Sequence, residues 1–252
     1  MAKATNFLAL NDPDPKEMSV VDHLTELRQR LIICILTVSV GSVAGWFVKG
    51  LVYDLLIAPI KPYEKSVGIA IIAQKLTDPF VIELQLSIAV GIALGLPVLL
   101  YQTWMFIAPA VSVQARRHVV PFVLLGVLLF AIGGVVGYEL FPLVVRFLLG
   151  QLQSLPGVKP LLNLGDYVRQ LALIVLIFGA VFEMPVVLTF LSMIGLTSSR
   201  WLRSKRKYAG MLGLIGAMII TPGADPITPF ITAAVIYLLY EASIISVRLI
   251  HR

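Results

Sequence analysis

Glu183 is the residue whose type and position most strongly indicate chemistry, because it lies inside an apolar stretch. Residues 174–182 before it and 184–188 after it are uncharged and hydrophobic apart from one glycine and one proline. A carboxylate near the centre of a membrane costs at least ~2.5–3.5 kcal/mol on insertion scales. It must therefore face the interior of a helix bundle or be protonated.

Two interpretations of Glu183 remain open at the level of sequence. It is the partner of an internal Ser, Thr, Gln or Tyr, or it forms a polar recess for a partner helix or a passing substrate. Pro185 should widen such a recess by loosening the helix. We place Met218 and Ile219 in the same recess.

The segment 19–31 predicts an amphipathic helix that leads into the first apolar block. Its apolar stripe consists of Val20, Leu24, Leu27 and Leu31. Asp22, Glu26 and Arg30 are four residues apart and therefore share another face. An interfacial helix with a solvated Glu26–Arg30 pair, worth a few tenths of a kcal/mol, is the simplest interpretation.

The composition indicates a membrane protein with several spans. Of 252 residues, 58% are hydrophobic and only 13% are charged, whereas soluble domains carry about 25% charged residues. The apolar residues come in blocks rather than at the spacing of an amphipathic soluble fold. The net charge of +6 comes from basic residues in loops, so it is not a nucleic-acid signal.

The sequence lacks the patterns of common catalytic and cofactor sites. It has no Walker loop, no dinucleotide-binding glycine pattern and no GxSxG elbow. The three histidines lie far apart without metal-ligand spacing. The single cysteine, Cys34, lies in the first predicted span and excludes an intramolecular disulfide. We expect no enzyme activity, no metal and no cofactor.

The apolar blocks predict an all-α protein with six transmembrane helices in one domain, residues 19–252. The predicted spans are 31–48, 84–106, 119–138, 171–194, 208–220 and 230–247. The last two are short and are separated by a Pro-rich turn. At 1.5 Å per residue the fifth covers only roughly 20 Å, so five spans with a re-entrant segment is the alternative. Residues 1–18 are too polar for a signal peptide and predict a disordered cytoplasmic tail.

The charges orient these spans. Most of the 20 Lys and Arg residues lie in the two termini and in the loops 107–118 and 195–207, which share one side if there are six spans. The positive-inside rule then places both termini in the cytoplasm. The predicted location is the inner (cytoplasmic) membrane of the cell. The opposite loops, about 49–83 and 139–170, are apolar and should cap the outer face, with short helices near 54–59 and 141–149.

Five short motifs occur in order along residues 19–248. They are His23 to Leu31 (HLTELRQRL), Ala58-Pro59, Pro97 to Pro109 (PVLLYQTWMFIAP), Phe182 to Pro185 (FEMP), and Thr221-Pro222 before Asp225. Together they resemble TatC, the core multispanning subunit of the twin-arginine (Sec-independent) protein translocase. Six spans, cytoplasmic termini and two short final helices agree with this resemblance.

The resemblance implies a membrane receptor and scaffold that binds twin-arginine signal peptides of folded proteins at the cytoplasmic face. It further implies TatA-type and TatB-type single-span partners, a homo-oligomer within a larger complex, and export driven by the protonmotive force. In TatC a glutamate of the N-terminal signature and another in the first cytoplasmic loop accept the two guanidinium groups, whose fork geometry carboxylates match. Glu26 corresponds to the first, and Phe106 to the family's aromatic residue beside the site. The implied signal-peptide site also includes Arg28, Leu31, Gln114, Arg116 and Arg117.

The chain departs from the family pattern at the loop glutamate. Position 115 is alanine, and no Asp or Glu occurs between Glu83 and Glu139. Gln114 offers only a neutral carbonyl, which is a weaker acceptor. The sequence therefore predicts a site with one matched carboxylate.

Two other function classes remain as alternatives. A proton-coupled secondary transporter would use Glu183 as its proton carrier; inverted repeats and paired broken helices would support it, and the sequence has neither. An intramembrane protease would need a nucleophile and a base at the depth of a span, and no histidine is well placed for that role.

Overall fold

The computed structural model describes residues 20–63, 68–107, 119–152, 161–221 and 227–250. In chain order the elements are α1 Val20–Ile57, β1 Ala70–Ile72, α2 Asp78–Ile107, α3 Val119–Leu152, β2 Leu161–Asn163, α4 Leu164–Phe182, α5 Met184–Met193, α6 Ser199–Ser204, α7 Arg206–Ile220 and α8 Ile227–Ile250. The predicted tail 1–18 lies outside the described residues, as do Pro109, Gln114, Arg116, Arg117 and Asp225.

The long helices are apolar membrane-spanning segments, which confirms the all-α prediction. Within the described ranges, five stretches are long and apolar enough to cross a bilayer: Val21–Ile57, Asp78–Phe106, Val119–Gln151, Leu164–Met193 and Ile227–Ile250. The sixth predicted span lies in α8, which has 24 residues and is longer than the sequence predicted. The fifth corresponds to α7, which has 15 residues. Because a span needs about 20 apolar residues, α7 is too short to cross an undistorted bilayer.

The first and third spans extend further than the sequence predicted. Helix α1 runs without a break for 38 residues and α3 for 34. The prediction of separate short helices near 54–59 and 141–149 was therefore wrong, since residues 54–57 and 141–149 continue the spans. The residues between each predicted span and its predicted short helix are themselves helical. Helix α3 continues even through Pro142, which cannot donate a helix hydrogen bond.

A small parallel sheet joins the two loops that the sequence placed on the outer face. Strands β1 and β2 pair with Ala70 opposite Leu161 and Ile72 opposite Asn163. The Asn163 side chain then caps α4 by accepting a hydrogen bond from the Asp166 amide at 3.2 Å. Sequence analysis missed both strands, because three residues are too few for a period of two to show.

The largest buried cluster lies at the same end of the molecule as this sheet. It joins α1, α2, α3 and α4 through side chains that include Leu56, Leu86, Phe141 and Leu171. The buried Tyr167 hydroxyl donates to the Leu56 carbonyl at 3.0 Å and so ties α4 to the end of α1. The main core of the bundle is therefore at the end that carries β1 and β2.

Helices α1 and α2 pack closely along a line of glycines. A Cβ atom placed on Gly41 would lie 2.8 Å from the Gly91 carbonyl oxygen, and one on Gly45 would lie 2.6 Å from the Ser87 carbonyl oxygen. Small residues allow helix backbones to approach each other in membranes, where packing replaces the hydrophobic effect. This contact fixes α2 against α1 and thereby places Gln102 and Phe106 near the start of α1.

We expect Gly45→Ala to destabilise the protein by about 1–3 kcal/mol, because the added methyl group meets backbone that cannot move aside. Gly50→Ala is the matched control in the same helix, since a Cβ there has no neighbour within 4 Å. Thermal melts in detergent should show a lower midpoint for Gly45→Ala and an unchanged or higher midpoint for Gly50→Ala. Equal midpoints for Gly45→Ala and the unaltered protein would contradict the close packing.

Candidate functional site

A chain of polar contacts connects the start of α1 to the end of α2. Arg30 Nε donates to Glu26 Oε1 at 2.9 Å, and Arg30 Nη2 donates to the same oxygen. Arg30 Nη1 donates to Gln102 Oε1 at 3.0 Å. The Glu26 and Arg30 side chains are only 17% and 19% exposed. The solvated-pair interpretation was therefore wrong, because the pair lies between two helices and a third side chain binds it.

Two aromatic rings continue this patch. The His23 imidazole stacks on the Phe106 ring with centroids 4.4 Å apart and planes 15° from parallel. His23 Nδ1 lies 3.8 Å from Glu26 Oε2. The fold thus brings Glu26 and Phe106 into one surface, with His23 between them. We call this surface, made of His23, Glu26, Arg30, Gln102 and Phe106, the Glu26 patch.

The two oxygens of Glu26 differ in their surroundings. Oε1 accepts both hydrogen bonds from Arg30. Oε2 is buried and accepts no hydrogen bond from any described residue. A carboxylate oxygen of this kind has a strong unmet capacity to accept a hydrogen bond. Once a side-chain movement uncovers Oε2, the Glu26 patch can bind one further donor, and a cationic donor would bind most strongly.

Some residues of the predicted signal-peptide site do not join the patch. Arg28 and Leu31 are exposed on α1, and Arg28 lies about 200° around the helix from Glu26. Gln114, Arg116 and Arg117 lie outside the described residues, so their placement stays a prediction. Conversely, sequence analysis did not name His23, Arg30 or Gln102 as site residues, although all three stand within the quoted motifs.

The prolines Pro59 and Pro97 of the sequence motifs do not belong to the patch. Pro59 is half-buried just after α1 ends, and Pro97 is exposed inside the continuous helix α2. Among the described parts of the chain, no group of three or more His, Cys, Asp or Glu residues is placed to hold a metal ion.

Glu183 stands at a break in the fourth predicted span. It ends α4, where its amide donates to the Ala180 carbonyl at 3.1 Å, and it precedes α5. Pro185 is in the first turn of α5, where the missing N–H costs nothing. The predicted single span 171–194 is thus two helices, because Pro185 cannot supply the hydrogen bond that would continue α4.

The Glu183 carboxylate lies in a cavity of about 120 Å³ between α2, α3 and α5. Trp104 lines this cavity, with its ring centroid 4.9 Å from that of Phe122 and 4.7 Å from that of Phe190. A Cβ on Gly126 would lie 2.9 Å from Glu183 Oε2, so the missing side chain of Gly126 leaves space for the carboxylate in its present position. Sequence analysis missed Trp104 and Gly126, which come from other helices.

The Glu183 cavity contains several polar atoms without partners. Glu183 is 7% exposed, and neither carboxylate oxygen has a hydrogen bond to a described residue. The Trp104 indole nitrogen is likewise buried and unpartnered. Within the described residues, no Ser, Thr, Gln or Tyr serves as the partner that one sequence interpretation required. The recess interpretation therefore agrees better with the structure.

Met218 and Ile219 do not line the Glu183 cavity. They lie near the end of α7 with 56% and 80% of their surfaces exposed, whereas the cavity is lined from α2, α3 and α5. The structure consequently separates the two parts of the recess that sequence analysis placed together. The exposed end of α7 is a distinct apolar surface.

Comparisons with known proteins agree with this architecture and with the sequence motifs. The profile of the family "Sec-independent protein translocase protein (TatC)" matches residues 22–234. The Desulforapulum autotrophicum TatC is 36% identical over 90% of this chain and 83% of its own length. The Aquifex aeolicus TatC is 36% identical over 90% of this chain and 93% of its own length.

The fold also matches a solved structure. The crystal structure of a twin-arginine translocase receptor, TatC, superposes with a TM-score of 0.77 at 36% identity, covering 91% of this chain and all of that one. The resemblance inferred from five motifs is thereby confirmed, as is the expectation of a polytopic membrane protein for protein transport. The chain belongs to the TatC family of Sec-independent protein translocase proteins.

Proposed function

We propose that this protein is the signal-peptide receptor and scaffold of a twin-arginine translocase in the inner membrane, with both termini in the cytoplasm. The observation that carries the proposal is the Glu26 patch, in which a buried carboxylate oxygen without a partner lies beside a stacked aromatic pair. The concentration of basic residues in the termini and in loops 107–118 and 195–207 supports the orientation.

The contacts of Arg30 support the proposal that the patch binds an arginine side chain. Its guanidinium bonds a carboxylate and an amide oxygen at once, through three of its nitrogens. A signal-peptide arginine would bond Glu26 Oε2 and share the carboxylate with Arg30. The flat His23–Phe106 stack would contact the next apolar side chain of the peptide or the face of the second guanidinium. Lysine lacks the planar fork and would bind less well.

The direct test compares peptides with an Arg-Arg and a Lys-Lys pair on the full-length protein. A photo-crosslinker at Phe106 should capture the Arg-Arg peptide, and one at the distant, exposed Leu76 should not. Unlabelled Arg-Arg peptide should compete with the captured peptide more strongly than Lys-Lys peptide. Equal competition by the two, or equal capture at both positions, would exclude the Glu26 patch as an arginine receptor.

The Glu183 cavity is the proposed contact site for a single-span partner protein. A single-span partner of the TatA or TatB type would insert a polar residue and supply the hydrogen bonds that the carboxylate lacks. Several copies of this chain and its partners would then form the complex that exports folded proteins at the expense of the protonmotive force. The unmet hydrogen-bonding capacity of Glu183 and Trp104 supports this assignment.

Ala115→Glu should tighten binding of an Arg-Arg peptide by about tenfold or more, because a charge-assisted hydrogen bond contributes about 1.5–3 kcal/mol. The second carboxylate would restore the acceptor that the family pattern provides. The gain should shrink for an Arg-Lys peptide and at high salt. Titrations of both peptides against both proteins measure it; equal affinities would show that position 115 does not face the peptide.

A further inference from the structure

A second and larger cleft opens on the other side of the α4–α5 break. Its volume is about 530 Å³, and it lies between α5, α6, α7 and α8. Met184, Leu188, Leu212 and Ile236 provide much of its apolar lining. The Glu183 carboxylate does not line this cleft, although Met184 is its neighbour in sequence. The cleft is therefore separate from both sites described above.

The mouth of the cleft has the residues of a membrane–water interface. Trp201 and Tyr208 line it and are 50% and 56% exposed, as expected for aromatic side chains at headgroup depth. Lys205 also lines the cleft, and its Nζ lies 5.2 Å from the centroid of the Tyr208 ring. A hydrogen bond of 2.6 Å from the Tyr240 hydroxyl to the Leu202 carbonyl holds α6 against α8 beside it.

The segment beside this mouth is rich in positive charge, and Lys205 of this segment lines the cleft itself. Residues 200–207 include Arg200, Arg203, Lys205, Arg206 and Lys207. Arg206 pairs with Glu241 at 2.5 Å. The other four cations have no acidic partner among the residues that the structure describes. An apolar cleft with an unpaired lysine at its mouth, within a basic segment, matches a ligand that has an aliphatic tail and an anionic head.

The size of the cleft favours a lipid chain over a protein helix. Small-ligand sites measure about 300–1,000 Å³, and this cleft falls within that range. A transmembrane helix would find the small lining residues Ala209 and Gly213 to pack on, but it is about 10–12 Å wide with its side chains and would be held outside the cleft. It would also leave the cations at the rim without a counter-charge. Basic pockets between transmembrane helices are a recognised setting for anionic headgroups.

We propose that this cleft binds an acyl chain of an anionic glycerophospholipid and that Lys205 holds the lipid phosphate at its mouth. The cations at Arg200, Arg203 and Lys207 add to the positive potential that attracts the headgroup. The bound chain fills the space between α5, α7 and α8. It thereby supports helix α7, which is too short to cross an undistorted bilayer.

The test uses the full-length protein, delipidated in detergent and mixed with phosphatidylglycerol or with phosphatidylcholine of the same acyl chains. Native mass spectrometry should show a retained phosphatidylglycerol molecule, and thermal melts should show stabilisation by phosphatidylglycerol above that by phosphatidylcholine. Lys205→Gln should weaken phosphatidylglycerol retention about fivefold, the share of one basic residue near a headgroup. Lys75→Gln, which removes an exposed lysine far along the chain, should leave retention unchanged.

A second variant tests the acyl chain separately. Leu212 is 63% exposed and lines the cleft, so Leu212→Trp should fold and fill the space from one side. We expect Leu212→Trp to abolish the preference for phosphatidylglycerol over phosphatidylcholine. Glycerol phosphate, which carries the headgroup without acyl chains, should not displace phosphatidylglycerol from the unaltered protein. Equal retention of the two lipids, or wild-type retention in both Lys205→Gln and Leu212→Trp, would overturn the proposal.

Discussion

Glu26→Gln is expected to weaken binding of an Arg-Arg signal peptide by about ten- to a hundredfold. The substitution keeps the shape of the side chain and removes its charge, so it removes a charge-assisted hydrogen bond worth about 1.5–3 kcal/mol. Oε2 of Glu26 is the buried acceptor without a partner in the Glu26 patch, and the matched loop position is alanine. Little else in the patch would then hold the first guanidinium.

The measurement is a peptide titration on purified proteins at equal concentration. Asp54→Asn serves as the control, because Asp54 is an exposed carboxylate in the same helix at its far end. Since Arg30 also bonds Glu26, a thermal melt must show that Glu26→Gln is folded at the temperature of the titration. Unchanged affinity in a folded variant would remove Glu26 from the proposed receptor site.

Glu183→Gln is expected to reduce transport at least about tenfold while signal-peptide binding stays within twofold. A hydrogen bond from a partner helix to a charged acceptor contributes about 1.5–3 kcal/mol. Loss of that free energy corresponds to the expected reduction in transport. The Glu26 patch lies on α1 and the end of α2 and does not depend on the Glu183 carboxylate. Transport into membrane vesicles and peptide binding by the purified protein measure the two effects.

Stability distinguishes this role of Glu183 from a structural one. The buried carboxylate has no hydrogen bond to the described residues, so neutralising it removes a desolvation cost and should keep or raise the melting midpoint. Glu139→Gln, at an exposed position of α3, controls for loss of charge in a span. A lower midpoint and a reduced membrane level for Glu183→Gln alone would mean that the carboxylate stabilises the bundle.

The sequence predicted the features that the bilayer itself dictates. A hydrocarbon layer requires long apolar helices, so the blocks of apolar residues located the spans without any knowledge of their packing. Glu183 stood out for the same reason, since a carboxylate conflicts with that environment. The sequence left open whether Glu183 has a hydrogen-bond partner inside the bundle. Such a partner would come from another helix, and the sequence does not show how the helices pack.

The parts that sequence analysis missed depend on contacts between distant residues. Arg30 and Gln102 are 72 positions apart, and their contact follows from the close α1–α2 packing. The separation of Met218 and Ile219 from Glu183 likewise depends on how α7 lies in the bundle. The sheet escaped notice because its two strands are short and far apart in the chain.

The uneven distribution of buried side chains gives the bundle a stiff end and a compliant end. The largest core cluster, the β1–β2 pairing and the Tyr167 hydrogen bond all lie at one end, whereas Trp104, Val119 and Phe190 form a much smaller cluster elsewhere. Small rotations about the stiff end would become larger displacements at the opposite ends of α1 and α2, one helix length away. Amide hydrogen exchange should therefore be slowest around Leu171 and fastest in the first turns of α1, where a ligand could move the helices at low cost.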